Sequence, residues 1–430
     1  MPWITLRLRV TTPLFNGDDD VPLRVSSLRG AMRYWFRALA GSRVGPDIRV
    51  LRRLENTVFG STEDPAPVRM RLTGLPTVRR NPHPSFLDKQ EEPGIGYLMG
   101  QGLGSFTGGG YRILRPYVPP ENSQFALELA LPNTDGDRSE RSGDEQSPHP
   151  DESVVALTLA SLWMVCAYGG VGARVRRGFG GLSIIKVEPH GHVLPAPWTD
   201  PELLRSPGLD HYRALDRLQR LQPIGPLETC LPHVDSLLTH LGVADAARPW
   251  REDETPTYPV FSSTRTCAGL SACSADHWDE LLAHVGRQYR LSRATSDNSA
   301  SRTNYRPKVK TPERDAVLRG GSDRFPLGAL GLPVVYSKDR VTVGERRASP
   351  LWLRPVRGDE GWRLFSFAFH NTFLPEGTEV KLNGLGGRSV AVTDDDVVQR
   401  TGDWVRRMRT DPAPYRLPWE EARAEAWSGT

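Results

Sequence analysis

Three arginines stand in a frame of glycines at residues 172–181, GARVRRGFGG. Glycine admits positive φ and a close backbone approach. Arg174, Arg176 and Arg177 can therefore crowd onto one short loop that the glycines keep open, with the flat ring of Phe179 among them. Cationic groups, an aromatic ring and exposed backbone N–H groups suit single-stranded RNA, whose phosphates take the charges and whose unstacked bases take the ring. The competing reading is a plain turn with a buried phenylalanine. The loop is not a P-loop, because Gly-Lys-Ser and Gly-Lys-Thr are absent from it.

A second basic set is periodic. Arg29, Arg33 and Arg37 are four residues apart, which lines them on one helix face, and Arg24 lies just before the helix. Like charges at this spacing repel by roughly a few tenths of a kcal/mol per pair. The row therefore gains by facing a phosphate backbone, or by facing acids of the same protein. Residues 302–324 carry Arg302, Arg306, Lys308, Lys310, Arg314, Arg319 and Arg324 around Tyr305, against Glu313, Asp315 and Asp323. This reads as a segment that orders on RNA or as a surface loop. The glycine-rich stretch 94–110 holds a loose G-x-G pattern but follows no clear strand of a nucleotide-binding fold, so a hairpin insertion is expected there.

Catalytic chemistry finds little support. H-E-x-x-H and G-x-S-x-G do not occur, and Cys166, Cys230, Cys267 and Cys273 form no C-x-x-C pair. His83 and His190 are loose candidates for the general base that metal-free RNA cleavage requires. Asp18–Asp20 reads as a solvated turn, and Asp394–Asp396 as a helix start whose acids complement the dipole. No cofactor, metal or small-molecule substrate is expected.

The elements that must position these groups follow from periodicity. Ile4, Leu6, Leu8 and Val10 alternate with Thr5, Arg7, Arg9 and Thr11, which predicts a half-buried strand. A helix follows from an N-cap at Ser26 or Ser27, with Leu28, Met32, Trp35, Phe36 and Leu39 inward and a stop at Gly41. YRILRPYV and then FALELAL at 125–131 supply strands, 153–169 an apolar helix with Val154, Leu157, Ala160, Ser161, Met164 and Val165 on its inner side, and 182–188 a last strand. Strand, helix, strand, strand, helix, strand is the split βαβ, ferredoxin-like plan. The stretch at about 132–152 has almost no apolar residue and reads as a disordered loop. Residues 191–250 read as a connection with short helices. A second unit over 251–430, with a basic insertion at about 292–324, shows a helix at about 276–291, strands at 333–336, 350–356 and 362–369, and a helix at 394–408. The expected class is α+β, with two ferredoxin-like, RRM-like domains carrying insertions.

Composition narrows the partners. The 430-residue chain has a net charge of only +4, yet 49 of its 55 basic residues are arginine. Arginine's planar fork suits phosphate and stacks on bases, although a GC-rich genome gives the same bias. With no secretory leader and no apolar run near ~18 residues, a cytoplasmic protein with reduced thiols is expected.

The motifs also carry a resemblance. TPLFNGDD at 12–19, SLRGAMRYWFRALAG at 27–41 and GARVRRGFGGL at 172–182 resemble the RAMP superfamily of CRISPR proteins. RRASPLWLRP at 346–355, preceded by Gly-Leu-Pro at 331–333, resembles within it the first-numbered RAMP subunit family of the type III-B Cmr module. The resemblance implies two RRM-like domains and a non-catalytic, RNA-binding subunit of a multi-subunit effector complex. Such a subunit caps the RAMP filament near the 3′ end of the guide RNA and helps capture target RNA. The implied partners are guide RNA, target RNA and other RAMP subunits, with no membrane. The implied RNA contacts are Arg29, Arg33, Arg37, Arg174, Arg176, Arg177 and Phe179, with Arg24 beside the row. Arg346 and Arg347 match by motif and face either RNA or a neighbouring subunit. Two rivals stand beside this reading: a RAMP-type metal-independent endoribonuclease acting on guide precursor, and a structural cap that meets protein only.

Overall fold

The computed structural model describes residues 3–16, 23–88, 94–100, 102–107, 110–121, 123–132, 148–294, 312–336, 339–384 and 388–410. The Asp18–Asp20 turn, most of the acidic loop and residues 295–311 of the basic insertion lie outside them. In chain order the elements begin β1 (Trp3–Val10), α1 (Val25–Val44), α2 (Ile48–Phe59), β2 (Arg69–Thr73), α3 (Ser85–Asp88), α4 (Gly94–Met99), β3 (Gly104–Thr107), β4 (Gly110–Ile113), β5 (Gln124–Ala130), α5 (Pro150–Ala167) and β6 (Leu182–Glu188). They continue α6 (Leu209–Leu218), α7 (Pro226–Thr229), α8 (Leu231–His240), β7 (Thr266–Leu270), α9 (Trp278–Ala294), α10 (Pro312–Arg319), β8 (Leu332–Tyr336), β9 (Val341–Arg347), β10 (Leu351–Gly358), β11 (Gly361–Phe369), β12 (Val380–Asn383), β13 (Ser389–Val390) and α11 (Asp394–Thr410). The chain is a mixed α+β protein with several antiparallel sheets.

Two compact units form, and their chain runs interleave: 1–81, 115–211 and 220–266 in the first, 82–114, 212–219 and 267–430 in the second. The seams therefore differ from the expected boundaries at 190 and 250. Most of the connection over 191–250 folds with the first unit, and the glycine-rich stretch 94–110 folds with the second.

In the first unit the sheet order is β2-β5-β1-β6. The second strand of this sheet is Arg69–Thr73, not the YRILRPYV stretch, whose first part instead forms the β3–β4 hairpin. β2 escapes a period-2 reading because it is a short edge strand whose residues are all partly or fully exposed. Ile4, Leu6, Leu8 and Val10 turn to the buried side, which α1 and α5 cover.

α5 is apolar on every side. Each residue from Ser153 to Ala167 is buried, so the expected inner face at Val154, Leu157, Ala160, Ser161, Met164 and Val165 is only part of its contact. The segment after β6 covers the rest. Trp198 Nε1 donates to Ala156 O at 3.0 Å, Trp163 Nε1 to Arg205 O at 3.1 Å, and Ser153 Oγ lies 3.1 Å from His233 Nδ1. By length and composition α5 is long and apolar enough to cross a membrane, a run the sequence count missed, but it is 83% buried inside the fold. Its first turn lies within the stretch expected as loop, with Pro150 opening the helix.

In the second unit β10-β11-β7 form one sheet and β13-β12-β9-β8 another. Gly94 and Gly96 are packing residues. A Cβ on Gly94 would lie 2.1 Å from Ala283 O of α9, and one on Gly96 would lie 2.7 Å from the Tyr111 ring. The expected acidic helix start is α11. There Asp396, 1% exposed, accepts from Thr393 N at 2.8 Å and pairs with Arg324 at 2.8 Å. Arg324, read as part of a basic insertion, is thus a structural group.

His284 in α9 is buried, and burial, with Arg287 and Arg407 nearby, pushes its pKa from 6.5 down to about 3. The unfolded chain therefore takes up a proton that the fold refuses, so stability is full above the ordinary histidine value and falls as pH drops through it. Thermal unfolding followed from about pH 6.5 towards 3 should show this loss, and His284→Asn should flatten the profile across that window.

Candidate nucleic-acid interface

The arginine row of α1 meets an acid. Asp47 caps α2, its side chain accepting from Arg49 N and Val50 N, and so sets the helix that carries Glu55. Glu55 is 7% exposed. Arg33 Nη1 donates to its Oε1 at 3.0 Å, and Arg37 Nη1 to its Oε2 at 3.1 Å. Arg33 Nη2 also donates to the carbonyls of Phe59 and Gly60, at 3.2 and 2.5 Å. Two guanidinium groups thus share one carboxylate, and the set keeps one net positive charge. Of the two readings of this row, the acid of the same protein is present for Arg33 and Arg37, against the RNA contact that the resemblance implies for them.

Arg29, one turn earlier, pairs with no such acid among the described residues. Its Nε is buried and makes no hydrogen bond among the described residues. Burial and the neighbouring Arg33 charge lower its pKa. Arg29 lines a cleft of about 540 Å³ with Trp3, Arg33, Phe59, Asp64 and Arg69. Arg24 is exposed at the N-cap of α1, where no side chain caps the helix. Ser26 and Ser27 lie inside the helix, which runs past Gly41 to Val44 and stops at Gly45 with φ +69°. Gly41 has a packing role instead: a Cβ there would lie 2.6 Å from the Tyr258 ring.

The glycine loop is clamped, not open. Ala173 N donates to Phe15 O at 2.7 Å, Gly180 N to Pro13 O at 2.9 Å, and Gly181 N to Thr12 Oγ1 at 3.0 Å. A Cβ on Gly172 would sit 2.4 Å from Phe15 O, and one on Gly180 would sit 2.0 Å from Val171 O. Between these points the backbone makes a 3-10 turn at Val175–Arg177, with Arg174 in the left-handed region at φ +63°. Arg174 is exposed, while Arg176 and Arg177 are half-buried. The Arg176 guanidinium lies over the Tyr34 ring of α1, 5.7 Å from its centroid. Phe179 is a correction. It is 1% exposed and packs edge-on to Phe15 at 5.8 Å, so its ring is core and offers no face to a base.

Arg346 and Arg347 end β9 in the second unit. Arg346 is exposed, and Arg347 is half-buried. Arg347 Nη2 donates to Thr372 O at 3.1 Å, and its guanidinium lies 5.7 Å from the Phe373 centroid. His190 Nε2 is 3.2 Å from Thr5 Oγ1. No group of three or more His, Cys, Asp or Glu suited to a metal occurs among the described residues.

Sequence reasoning placed Arg7 and Arg9 on the polar side of a strand and assigned them nothing. The sheet register shows the larger set they belong to. Trp3, Thr5, Arg7 and Arg9 of β1 share a face with Arg69 and Arg71 of β2 and Lys186 of β6. Two acids answer this group. Glu188 pairs with Arg7 at 3.6 Å and Lys186 at 2.7 Å, and Glu128 accepts from Arg71 and from Thr73 Oγ1. Arginine at alternate polar positions of β1 was the available signal; β2 supplied none.

A sequence profile of the RAMP superfamily matches residues 7–183. The CRISPR system Cmr subunit Cmr1-1 of Pyrococcus furiosus is 34% identical over 359 residues, covering 82% of each chain. The Cmr1-2 subunit of the same organism is 28% identical over 181 residues, covering 41% of this chain and 92% of that one. The crystal structure of apo Cmr1 from Pyrococcus furiosus superposes with a TM-score of 0.48 at 22% identity, covering 93% of this chain and 97% of that one. With a relative this similar across most of both sequences, the chain belongs to the Cmr1 family of CRISPR Cmr subunits, within the RAMP superfamily.

Proposed function

We propose that this chain is a non-catalytic, RNA-binding subunit of a type III-B CRISPR effector ribonucleoprotein in the cytoplasm. In this reading it caps the RAMP filament near the 3′ end of the guide RNA and helps capture target RNA in antiviral defence. Its partners are guide RNA, target RNA and neighbouring RAMP subunits. One observation carries the reading: exposed Arg174 and half-buried Arg176 and Arg177 sit on a turn whose backbone is pinned to the β1–α1 connection, with Arg176 resting on Tyr34. Arginines held in place lose less freedom when they meet a phosphate. Arg24 and Arg29 extend the contact along α1, while Arg33 and Arg37 contribute the single charge that Glu55 leaves. Arg346 and Arg347 form a separate candidate contact in the second unit. We also infer that both units derive from a ferredoxin-like plan. The order β2-β5-β1-β6 supports this in the first, and β10-β11-β7 with α9 and α11 supplies three strands of it in the second.

Such contacts read backbone, not base edges. Replacing Arg176 and Arg177 with alanine should weaken binding of every single-stranded RNA alike, by about tenfold at low salt. The slope of log affinity against log salt should shrink by about 0.7 per lost phosphate contact. Loss confined to one sequence would refute backbone reading. Glu55→Gln should lower stability by about 1–3 kcal/mol, less than for a fully buried pair because both arginines are partly exposed. The same change should leave RNA affinity intact or raised. A fall would mean that RNA reads the paired geometry of Arg33 and Arg37. Incubated with guide-precursor RNA and no metal, the purified chain should leave the RNA intact. Cleavage would restore the endoribonuclease reading, with His190 as the first residue to replace.

A further inference from the structure

The corner of the first-unit sheet at Trp3 has a chemistry that the glycine loop does not explain. Trp3 pairs in register with Ala130, which is buried, and Ala130 pairs in turn with Arg69. The guanidinium groups of Arg71 and Arg69 lie 4.3 and 6.0 Å from the Trp3 ring centroid. The same indole lines the cleft of about 540 Å³ that Arg29, Arg33 and Arg69 also line. A volume of this order suits a small organic ligand. Arg33 is offset by Glu55, but the buried Nε of Arg29 has no hydrogen-bond partner among the described residues. Asp64 is the acid in the cleft wall, beside Arg29, Arg69 and the Arg33 that Glu55 offsets. Further along β1, Arg7 and Arg9 stand on the same face as Trp3.

We propose that this cleft takes one unstacked nucleotide of a single-stranded RNA, its base on the Trp3 indole and its phosphate on Arg29 and Arg69. The proposal rests on the RNA-binding reading above and adds a base-stacking subsite to it. An acidic peptide satisfies the arginines but gains nothing from the indole, whereas a nucleotide uses both. Arg7 and Arg9 then face the phosphates that follow. The site differs from the usual RRM arrangement, where aromatics stack two or three bases on the sheet. Here a single aromatic stands at a strand end, so one base is held and the rest of the track is read by charge.

The test is fluorescence anisotropy of an end-labelled oligouridine at low salt, with thermal melting to confirm folding. The proteins are the full chain, Trp3→Phe, Trp3→Leu, Arg29→Gln and the Arg176/Arg177 double alanine variant. A stacked base is expected to make Trp3→Leu bind about tenfold more weakly, while Trp3→Phe recovers most of the affinity. An abasic oligomer of equal length should bind the full chain and Trp3→Leu alike. Arg29→Gln should lower affinity and reduce the salt slope by about 0.7, which reads the site even where Trp3→Leu fails to fold. Unchanged binding in both Trp3→Leu and Arg29→Gln, with loss in the double alanine variant, overturns this site and leaves the RNA-binding reading standing. Equal losses in Trp3→Phe and Trp3→Leu mark a structural role and also overturn it. Absence of RNA binding by the full chain overturns both.

Discussion

The backbone clamp between residues 12–15 and the glycine loop is the constraint on which the basic surface depends. Donors at Ala173, Gly180 and Gly181 reach acceptors at Phe15, Pro13 and the Thr12 hydroxyl. At Gly172 and Gly180 a Cβ would fall 2.0–2.4 Å from a carbonyl oxygen. Those residues are glycine because two stretches of backbone must touch. The contact ties the end of β1, the start of β6 and the turn carrying three arginines into one piece. Phe15 and Phe179 fill the space beneath, and Tyr34 of α1 supports Arg176 from the side. A flexible loop with the same residues would pay the ordering cost on every encounter with a ligand.

Charge compensation then separates arginines that hold the fold from arginines that are available. Arg33 and Arg37 share Glu55, Arg324 is tied to a buried Asp396, and Arg409 Nε donates to Asp216 at 2.6 Å. These groups belong to internal networks, and their charge is largely spent. Among the described residues, Arg29 sits beside Arg33 with no acid of its own, and the sheet face carries more cations than Glu128 and Glu188 neutralise. A modest net charge of +4 thus conceals surfaces that are strongly positive in places. It is this local imbalance that matters for an anionic partner.

The parts legible in the sequence are those where one period acts alone. β1, α1, β5, α9 and α11 show alternation or helical spacing, while β6, β10 and β11 read as short runs rich in apolar residues, and each forms close to its expected bounds. β2 was hidden because an exposed edge strand has no buried side to betray it. α5 reads with a single inner face because its spacing carries no sign of a cover on the outer one; the segment with Trp198 and His233 supplies that cover across 42 and 80 residues of chain. The glycine loop was recognised as a unit, but its mechanism was inverted, with glycines thought to keep it open when they let it close. Phe179 shows why. A ring next to arginines in sequence can point to either side of a turn, and only the contact with Phe15 decides which. Glu55 was invisible to a reading of α1 because its helix lies outside the periodic motif, and a pairing between helices leaves no trace in either one's spacing.

Arginine's predominance over lysine takes on a structural meaning in the same terms. Codon bias alone accounts for the number but not for the placement. Guanidinium groups lie against aromatic rings at Arg71 and Trp3, Arg176 and Tyr34, Arg33 and Phe59, and Arg347 and Phe373. A flat, weakly hydrated cation keeps such contact while its edge N–H groups stay available. A lysine ammonium, compact and strongly hydrated, would give up the ring to keep its water. Where the ring is carried on a regular element, as Tyr34 is on α1 and Trp3 on β1, the guanidinium is held before any ligand arrives. The fold therefore does at the aromatic what it does at the glycine clamp: it orders charge in advance, so that binding an anion costs little further loss of freedom.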